Sequence, residues 1–252
     1  MRTASESLHL VVVDLDGCLT RGEAQPLDFG VLERVASLND RASKDPSRPA
    51  ITLCTGRPAP YVEVVMQAIH AFVPAIYENG GGLYFPSPYS FRQNAAITPA
   101  MKEDLARLKT LLQRELVEPG LAYFQPGKEV SLTLFPGRDI GLGDLYRKAS
   151  QVVPEGRFVV EETTSCLNIL FRGVDKEEGV RWLSRETGVP LARMAGIGDS
   201  TSDLKFLRLV GLAAAPANAS REVRKRVHYV SPYEDGEGLL DILNRLLKKG
   251  ED

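Results

Sequence analysis

The strongest constraint on the fold is the stretch at residues 8–20, where Leu10-Val11-Val12-Val13 ends abruptly in Asp14-Leu15-Asp16-Gly17. A β-branched run of this kind reads as a strand buried on both faces, as in parallel sheets. Ligands of open α/β sheets gather beyond the carboxyl ends of the strands, where Asp14 and Asp16 stand. Two residues apart on extended backbone, these carboxylates point to the same side. They repel unless a cation lies between them or one is protonated. The pair predicts a Mg²⁺ site with a nucleophile and a proton carrier; the competing reading is a strand closed by an ordinary Asp-Gly turn.

The rest of the chain supplies the context. Val31, Leu32, Val35 and Leu38 recur at helical spacing. A second short apolar strand at 50–54 stops at Thr55-Gly56-Arg57, a helix follows over about 60–72, and a third strand at 75–77 is closed by Glu78-Asn79-Gly80-Gly81-Gly82. This alternation predicts a parallel sheet with right-handed crossovers. The pattern then changes. Thr98-Pro99 opens a helix, two strands follow, a second helix falls near 142–152, and two more strands lie at 158–160 and 167–171. Helix, strand, strand, written twice, predicts a compact antiparallel α+β insertion. Alternation resumes at Gly173, with a helix from Lys176, a strand at 194–197 ended by Gly198-Asp199, and a last helix over 237–247. The expected fold is an α/β, Rossmann-like parallel-sheet core of residues 1–83 and 172–252, interrupted by an α+β cap at 84–171.

Composition narrows the function classes. The chain has 252 residues, 43% hydrophobic and 25% charged, with a net charge of −2. That balance gives no footprint for nucleic acid. Cys18, Cys54 and Cys166 are scattered without metal-ligand spacing, which predicts reduced thiols in a cytoplasmic protein. Residues 1–7 are polar, and the apolar run after them is too short for a signal core or a membrane span.

Four clusters end strands or open helices of the expected core: Asp14-Leu15-Asp16-Gly17, Thr55-Gly56-Arg57, Lys176 after Gly173-Val174-Asp175, and Gly198-Asp199-Ser200-Thr201-Ser202-Asp203. Each has an ordinary explanation, as a turn hydroxyl, a solvated lysine, or an N-cap and first-turn acid. Together they offer carboxylates for a hard cation, a hydroxyl and a glycine amide for phosphate oxygens, and one fixed ammonium.

In order and residue type these clusters resemble the haloacid dehalogenase superfamily of phosphatases, and the insertion between the second and third clusters resembles the subclass with the larger α/β cap. The runs around Glu78-Asn79-Gly80, Pro216-Ala217-Asn218-Ala219 and Glu234-Asp235-Gly236 are similar to that subclass too. The resemblance implies that Asp14 attacks phosphorus to form an aspartyl-phosphate and that Asp16 is acid and then base. It implies Mg²⁺ held by Asp14, the Asp16 carbonyl and Asp199, and phosphoryl oxygens bound by Thr55 and Gly56. Lys176 would neutralise charge, oriented by Asp203. Asn218 would support the site from behind, and Asn79 and Gly80 would belong to the substrate pocket, although asparagine beside glycine is also plain turn chemistry. Cys18 and Ser202 depart from the threonine and asparagine usual in the family, without removing a catalytic group.

The implied function is hydrolysis of a small phosphorylated metabolite. Phosphoglycolate-like acids rank before phosphorylated sugars, because Asp14 to Thr20 and Glu78 to Gly81 resemble archaeal phosphoglycolate phosphatases; mannosyl-3-phosphoglycerate and sucrose-phosphate phosphatases share the cap class. The alternative is a phosphotransferase of the phosphomannomutase kind. A dehalogenase is disfavoured by Asp16, since that reaction has no alkoxide needing an acid. Arg92, Lys128 and Arg138 in the expected cap, and Arg172 directly at its end, are undifferentiated cations. The oligomeric state is not legible in the sequence.

Overall fold

The computed structural model describes residues 7–248. Of the polar N-terminal stretch only Ser7 falls within them. The elements, in chain order, are β1 (Leu10–Val13), α1 (Phe29–Ala42), β2 (Ala50–Leu53), α2 (Ala59–Ala68), β3 (Ala75–Tyr77), β4 (Gly82–Phe85) and β5 (Ser90–Gln93), then α3 (Pro99–Leu112), β6 (Ala122–Phe124), β7 (Leu132–Pro136), α4 (Leu142–Val152), β8 (Phe158–Glu162) and β9 (Leu167–Phe171). The chain closes with α5 (Lys176–Thr187), β10 (Met194–Ile197), α6 (Leu204–Leu207), β11 (Leu212–Ala215), α7 (Arg221–Arg224), β12 (Tyr229–Val230) and α8 (Asp235–Lys248).

β1 lies inside a five-stranded parallel sheet of order β12-β11-β10-β1-β2. Its alternate residues divide between two cores. Val11 and Val13 pack with Val35 of α1, Val65 of α2 and Ile242 of α8, whereas Leu10 and Val12 pack with Val180 of α5 and Phe206 of α6. Helices on both faces explain why the run is apolar without alternation. Val13 lies opposite Leu53 and Ile197, so β1, β2 and β10 end level and deliver Asp14, Thr55 and Asp199 to one edge.

One expectation of the parallel sheet is corrected. Residues 75–77 are not its third strand but open an antiparallel sheet, β3-β4-β5, and touch the line of β2 through a single bridge between Cys54 and Ile76. The cause is the turn after Tyr77. Glu78, Asn79 and Gly80 take φ values of 46°, 54° and 96°, which reverses the chain so that Gly82 pairs with Tyr77. An added Cβ at Gly82 would lie 2.0 Å from the Tyr77 ring, so only glycine admits this pairing. Leu83 and Phe85 of β4 pack in the cluster of β1 and α5, and Tyr84 packs with the opposite one.

The second half of the insertion has its own core. An antiparallel sheet of order β6-β7-β9-β8 carries α3 and α4, and Leu105, Leu112, Leu134, Leu145, Ile169 and Phe171 close a separate hydrophobic cluster. Thr98 caps α3 by accepting from the Met101 N–H, with Pro99 in the first turn. No helix among the described residues is long and apolar enough to cross a membrane.

Candidate active site

Asp14 begins where β1 stops. Its Oδ1 accepts the Leu15 N–H at 2.7 Å and the Lys176 ammonium at 2.9 Å. Lys176 is the first residue of α5, placed there by the N-cap Asp175, which accepts from the Glu178 N–H. Only 4% exposed, Lys176 also donates to Asp203 Oδ1 at 2.6 Å. Burial by itself would strip its proton, but the Asp14 and Asp203 charges outweigh it and hold the ammonium protonated well above the ordinary lysine range.

Asp203 is fully buried and its second oxygen accepts from the Asp199 and Ser200 N–H groups and the Ser200 hydroxyl. It therefore orients Lys176 and the loop of Asp199 and leaves no oxygen for the cleft. Asp199 lies against Gly17, where an added Cβ would fall 2.5 Å from Asp199 Oδ2. Gly17, at φ 81°, takes a backbone conformation suited to glycine and makes room for that carboxylate.

Oxygens of Asp14, Asp199 and Asp203 lie within 4.8 Å of one another. Three buried carboxylates face one ammonium. Burial, and after it the Asp203 charge, pushes Asp14 well above the usual carboxylate range and Asp199 up to about 7. Such crowding is the environment that a divalent cation relieves, and an all-oxygen donor set suits a hard one. Because Asp203 is fully engaged, the donors that remain are Asp14 and Asp199.

Asp16 turns to the other side of the cleft mouth. The Arg57 guanidinium grips it with two parallel bonds, Nε to Oδ2 at 2.7 Å and Nη2 to Oδ1 at 2.8 Å. Arg57 also approaches Glu23 at 3.8 Å, and Glu23 accepts from the Ser165 hydroxyl at 3.2 Å. Thr55 is buried, and its hydroxyl accepts the Arg57 N–H at 3.1 Å. Gly56 follows with open backbone; a Cβ there would meet Asn79 Nδ2 at 2.9 Å.

Asp14, Asp16, Thr55, Gly56, Asn79, Lys176, Asp199 and Asn218 line one cleft of about 240 Å³. Asn79 presents a buried Nδ2 with no hydrogen-bond partner, a donor available to a ligand oxygen. Asn218 donates to the Gly17 carbonyl and accepts from the Asp235 N–H, tying the loop after β1 to the start of α8. Gly80 is not among the lining residues. It packs on α5, where a Cβ would lie 2.2 Å from the Asp175 carbonyl, and its own carbonyl accepts from Asn94 Nδ2.

Sequence reasoning assigned no role to two residues that line this cleft, Arg57 and Lys128, nor to Glu78 beside Asn79. Arg57 stood inside a quoted motif but without a partner. Glu78 is 1% exposed and accepts from the Glu129 and Val130 N–H groups and the Ser131 hydroxyl. Lys128 lines the cleft from the insertion. The side chains of Arg57 and Glu78 pair with residues 34 to 53 positions away in the chain, beyond any local spacing rule.

Comparison with known proteins agrees with this geometry. Residues 141–243 match the family model of haloacid dehalogenase-like hydrolases. A phosphoglycolate phosphatase of Methanopyrus kandleri is 24% identical over 95% of this chain and 97% of its own. Phosphoglycolate phosphatase 1 of Saccharolobus solfataricus is 24% identical over 96% of each. The fold matches a solved Thermoplasma acidophilum protein at TM-score 0.71 and 21% identity, covering 96% of this chain and 99% of that one. It also matches the sucrose-phosphatase of Synechocystis at TM-score 0.66 and 13% identity, covering 96% and 98%. With the four clusters gathered around one cleft and relatives matched over nearly their full length, the chain is related to the haloacid dehalogenase-like hydrolases and, among them, to the phosphoglycolate phosphatases.

Proposed function

We propose that the protein hydrolyses a small phosphorylated metabolite in two steps through a phosphoaspartate on Asp14, with Mg²⁺ as the divalent cation. The observation that carries this reading is the Lys176 ammonium held between Asp14 and Asp203 beside the Asp199 carboxylate. It fixes one oxygen of Asp14 and leaves Oδ2 to face a phosphoryl group. Phosphatases of this family generally use a divalent metal; here Asp14, the Asp16 carbonyl and Asp199 would hold it, and it would offset negative charge between the nucleophile and the phosphoryl oxygens.

In the first step Asp14 Oδ2 bonds to phosphorus, the ester P–O bond breaks, and Asp16 gives a proton to the leaving alkoxide. In the second, water attacks phosphorus, Asp16 takes its proton, and the Asp14 carboxylate is released with inorganic phosphate. Thr55, the Gly56 N–H and Lys176 bind the phosphoryl oxygens throughout, so the work is mostly positioning and charge stabilisation. Residues 84–171 act as a cap that limits water at the reacting centre, and β4, packed in the core clusters and paired with β5, favours a boundary for it after β5 rather than before. The substrate order is phosphoglycolate-like acids before sugar phosphates. Three buried, free cysteines fit a reducing cytoplasm.

The test is phosphate release over a panel of phosphorylated metabolites with Mg²⁺ and then with EDTA. Activity should require the metal. Asp14→Asn should stop turnover, whereas Asp16→Asn should slow it by ~10²–10⁴-fold, less with aryl phosphates whose leaving group needs no acid. Full activity of Asp14→Asn, or an isomerised phosphate ester in place of free phosphate, would overturn the reading, the latter in favour of a phosphotransferase.

A further inference from the structure

We propose that Lys128 binds a second anionic group on the substrate, a carboxylate, and thereby selects a short phosphorylated carboxylic acid over a neutral phosphorylated sugar. This deepens the phosphatase reading and rests on it.

Arg92, Lys128, Arg138 and Arg172 are equivalent in sequence, and the structure separates them. Arg92 is paired with Glu186 at 3.1 Å and lies over the Phe85 ring. Arg172 donates to the Gly156 carbonyl. Arg138 and Arg172 are both exposed, and none of the three lines the cleft. Lys128 does, among neutral neighbours from the same wall, Gln125, Thr133, Ser165 and Asn168.

Its ammonium makes no hydrogen bond or ion pair among the described residues. The two carboxylates whose charge reaches it are already engaged. Glu78 accepts from Glu129, Val130 and Ser131, and Asp16 is held by both arms of Arg57. Burial therefore dominates and pulls Lys128 down to about 8. A half-buried ammonium without a partner gains more from an incoming anion than a solvated one does.

The position fits a short ligand. The loop of Lys128 packs against the start of α2, where a Cβ on Gly127 would lie 3.6 Å from Pro58. Pro58 directly follows Thr55-Gly56-Arg57, the phosphoryl-binding loop of the proposed mechanism. One small molecule carrying a phosphate and a carboxylate can thus meet Thr55 and Lys128 together, and Asn79 Nδ2 adds an unpaired donor on the wall of the same cleft.

The test uses two stable phosphonates of equal length, 3-phosphonopropionate and propylphosphonate, titrated calorimetrically into the wild-type protein with Mg²⁺. The wild type should prefer the carboxylate by about tenfold or more, the usual worth of a hydrogen bond to a charged group. Lys128→Met, which keeps the apolar stem, should collapse that preference, and Lys128→Arg should retain most of it. The preference is a ratio within one protein, so a change in overall affinity does not disguise it. Equal binding of the two ligands by the wild type, or an undiminished preference in Lys128→Met, would overturn the assignment and leave the phosphatase reading standing. Binding of neither ligand by the wild type would overturn the phosphoryl pocket and this inference with it.

Discussion

Lys176 contradicts two local preferences at once. A cation in the first turn of a helix opposes the helix dipole, and a buried lysine is disfavoured unless paired. Asp14 and Asp203 compensate at 2.9 and 2.6 Å, and such compensated violations mark functional sites. Asp16 is held differently, by the bidentate Arg57. Arg57→Ala should leave the Asp16 carboxylate free to wander; misplacement of a catalytic group costs ~10²-fold, so kcat for phosphate release should fall by about that much. An unchanged kcat would show that Asp16 does not depend on this pair. Asp199 gives a pH prediction for the metal-free protein. Burial and the Asp203 charge raise it to about 7 in the folded chain, above its unfolded range near ~3.9. The folded state thus binds more protons between those values, and stability falls as pH rises through that window. With EDTA present, the urea midpoint should be higher at pH 5 than at pH 8, and Mg²⁺ should raise the pH 8 value selectively. A midpoint that rises with pH in EDTA would contradict the crowding of carboxylates.

At the scale of elements, the site depends on strands ending level and on one helix start. β1, β2 and β10 are in register to their last residues, so three loops open at the same height. α5 is fixed against the turn after β3 by close backbone contact, with Gly80 and Gly179 facing each other. Gly80→Ala would place a Cβ 2.2 Å from the Asp175 carbonyl on a backbone at φ 96°. Overpacking typically costs ~1–3 kcal/mol, and the strained φ adds to it. The variant should show a lower urea midpoint with an unchanged slope, and reduced phosphate release because the start of α5 carries Lys176. An unshifted midpoint would mean that the turn and α5 separate without cost.

At the scale of the whole molecule, Glu78 joins the two halves. It sits on the turn after β3 and accepts three hydrogen bonds from residues 129–131, the segment adjoining Lys128. Glu78→Ala would leave the buried Val130 N–H unsatisfied, a loss of ~1–3 kcal/mol for such a group. Hydrogen exchange should accelerate at residues 128–131 while the amides of β1 stay protected, and unaltered exchange there would show that the insertion is held by other contacts. Glu23 and Ser165 make a second crossing at the cleft mouth.

The sequence by itself determined the parallel core, because an apolar run buried on both faces has no polar alternation, and because strand ends carry their own chemistry as Asp14, Thr55 and Asp199. It likewise determined the antiparallel character of the insertion and the start of α5 at Lys176, since caps and periodicity are local signals. It did not reveal the reversal into β4, because Asn79-Gly80 marks only a turn, whereas the positive φ at Glu78 is a strained state that its own propensity does not favour and that packing against α5 sustains. Nor could it rank Lys128 above Arg92, Arg138 and Arg172. Four cations look alike until tertiary structure supplies a partner to one, solvent to others, and a cleft without a counter-ion to Lys128 alone among them. Charge pairing over tens of residues is a property of the folded surface, and only the fold decides it.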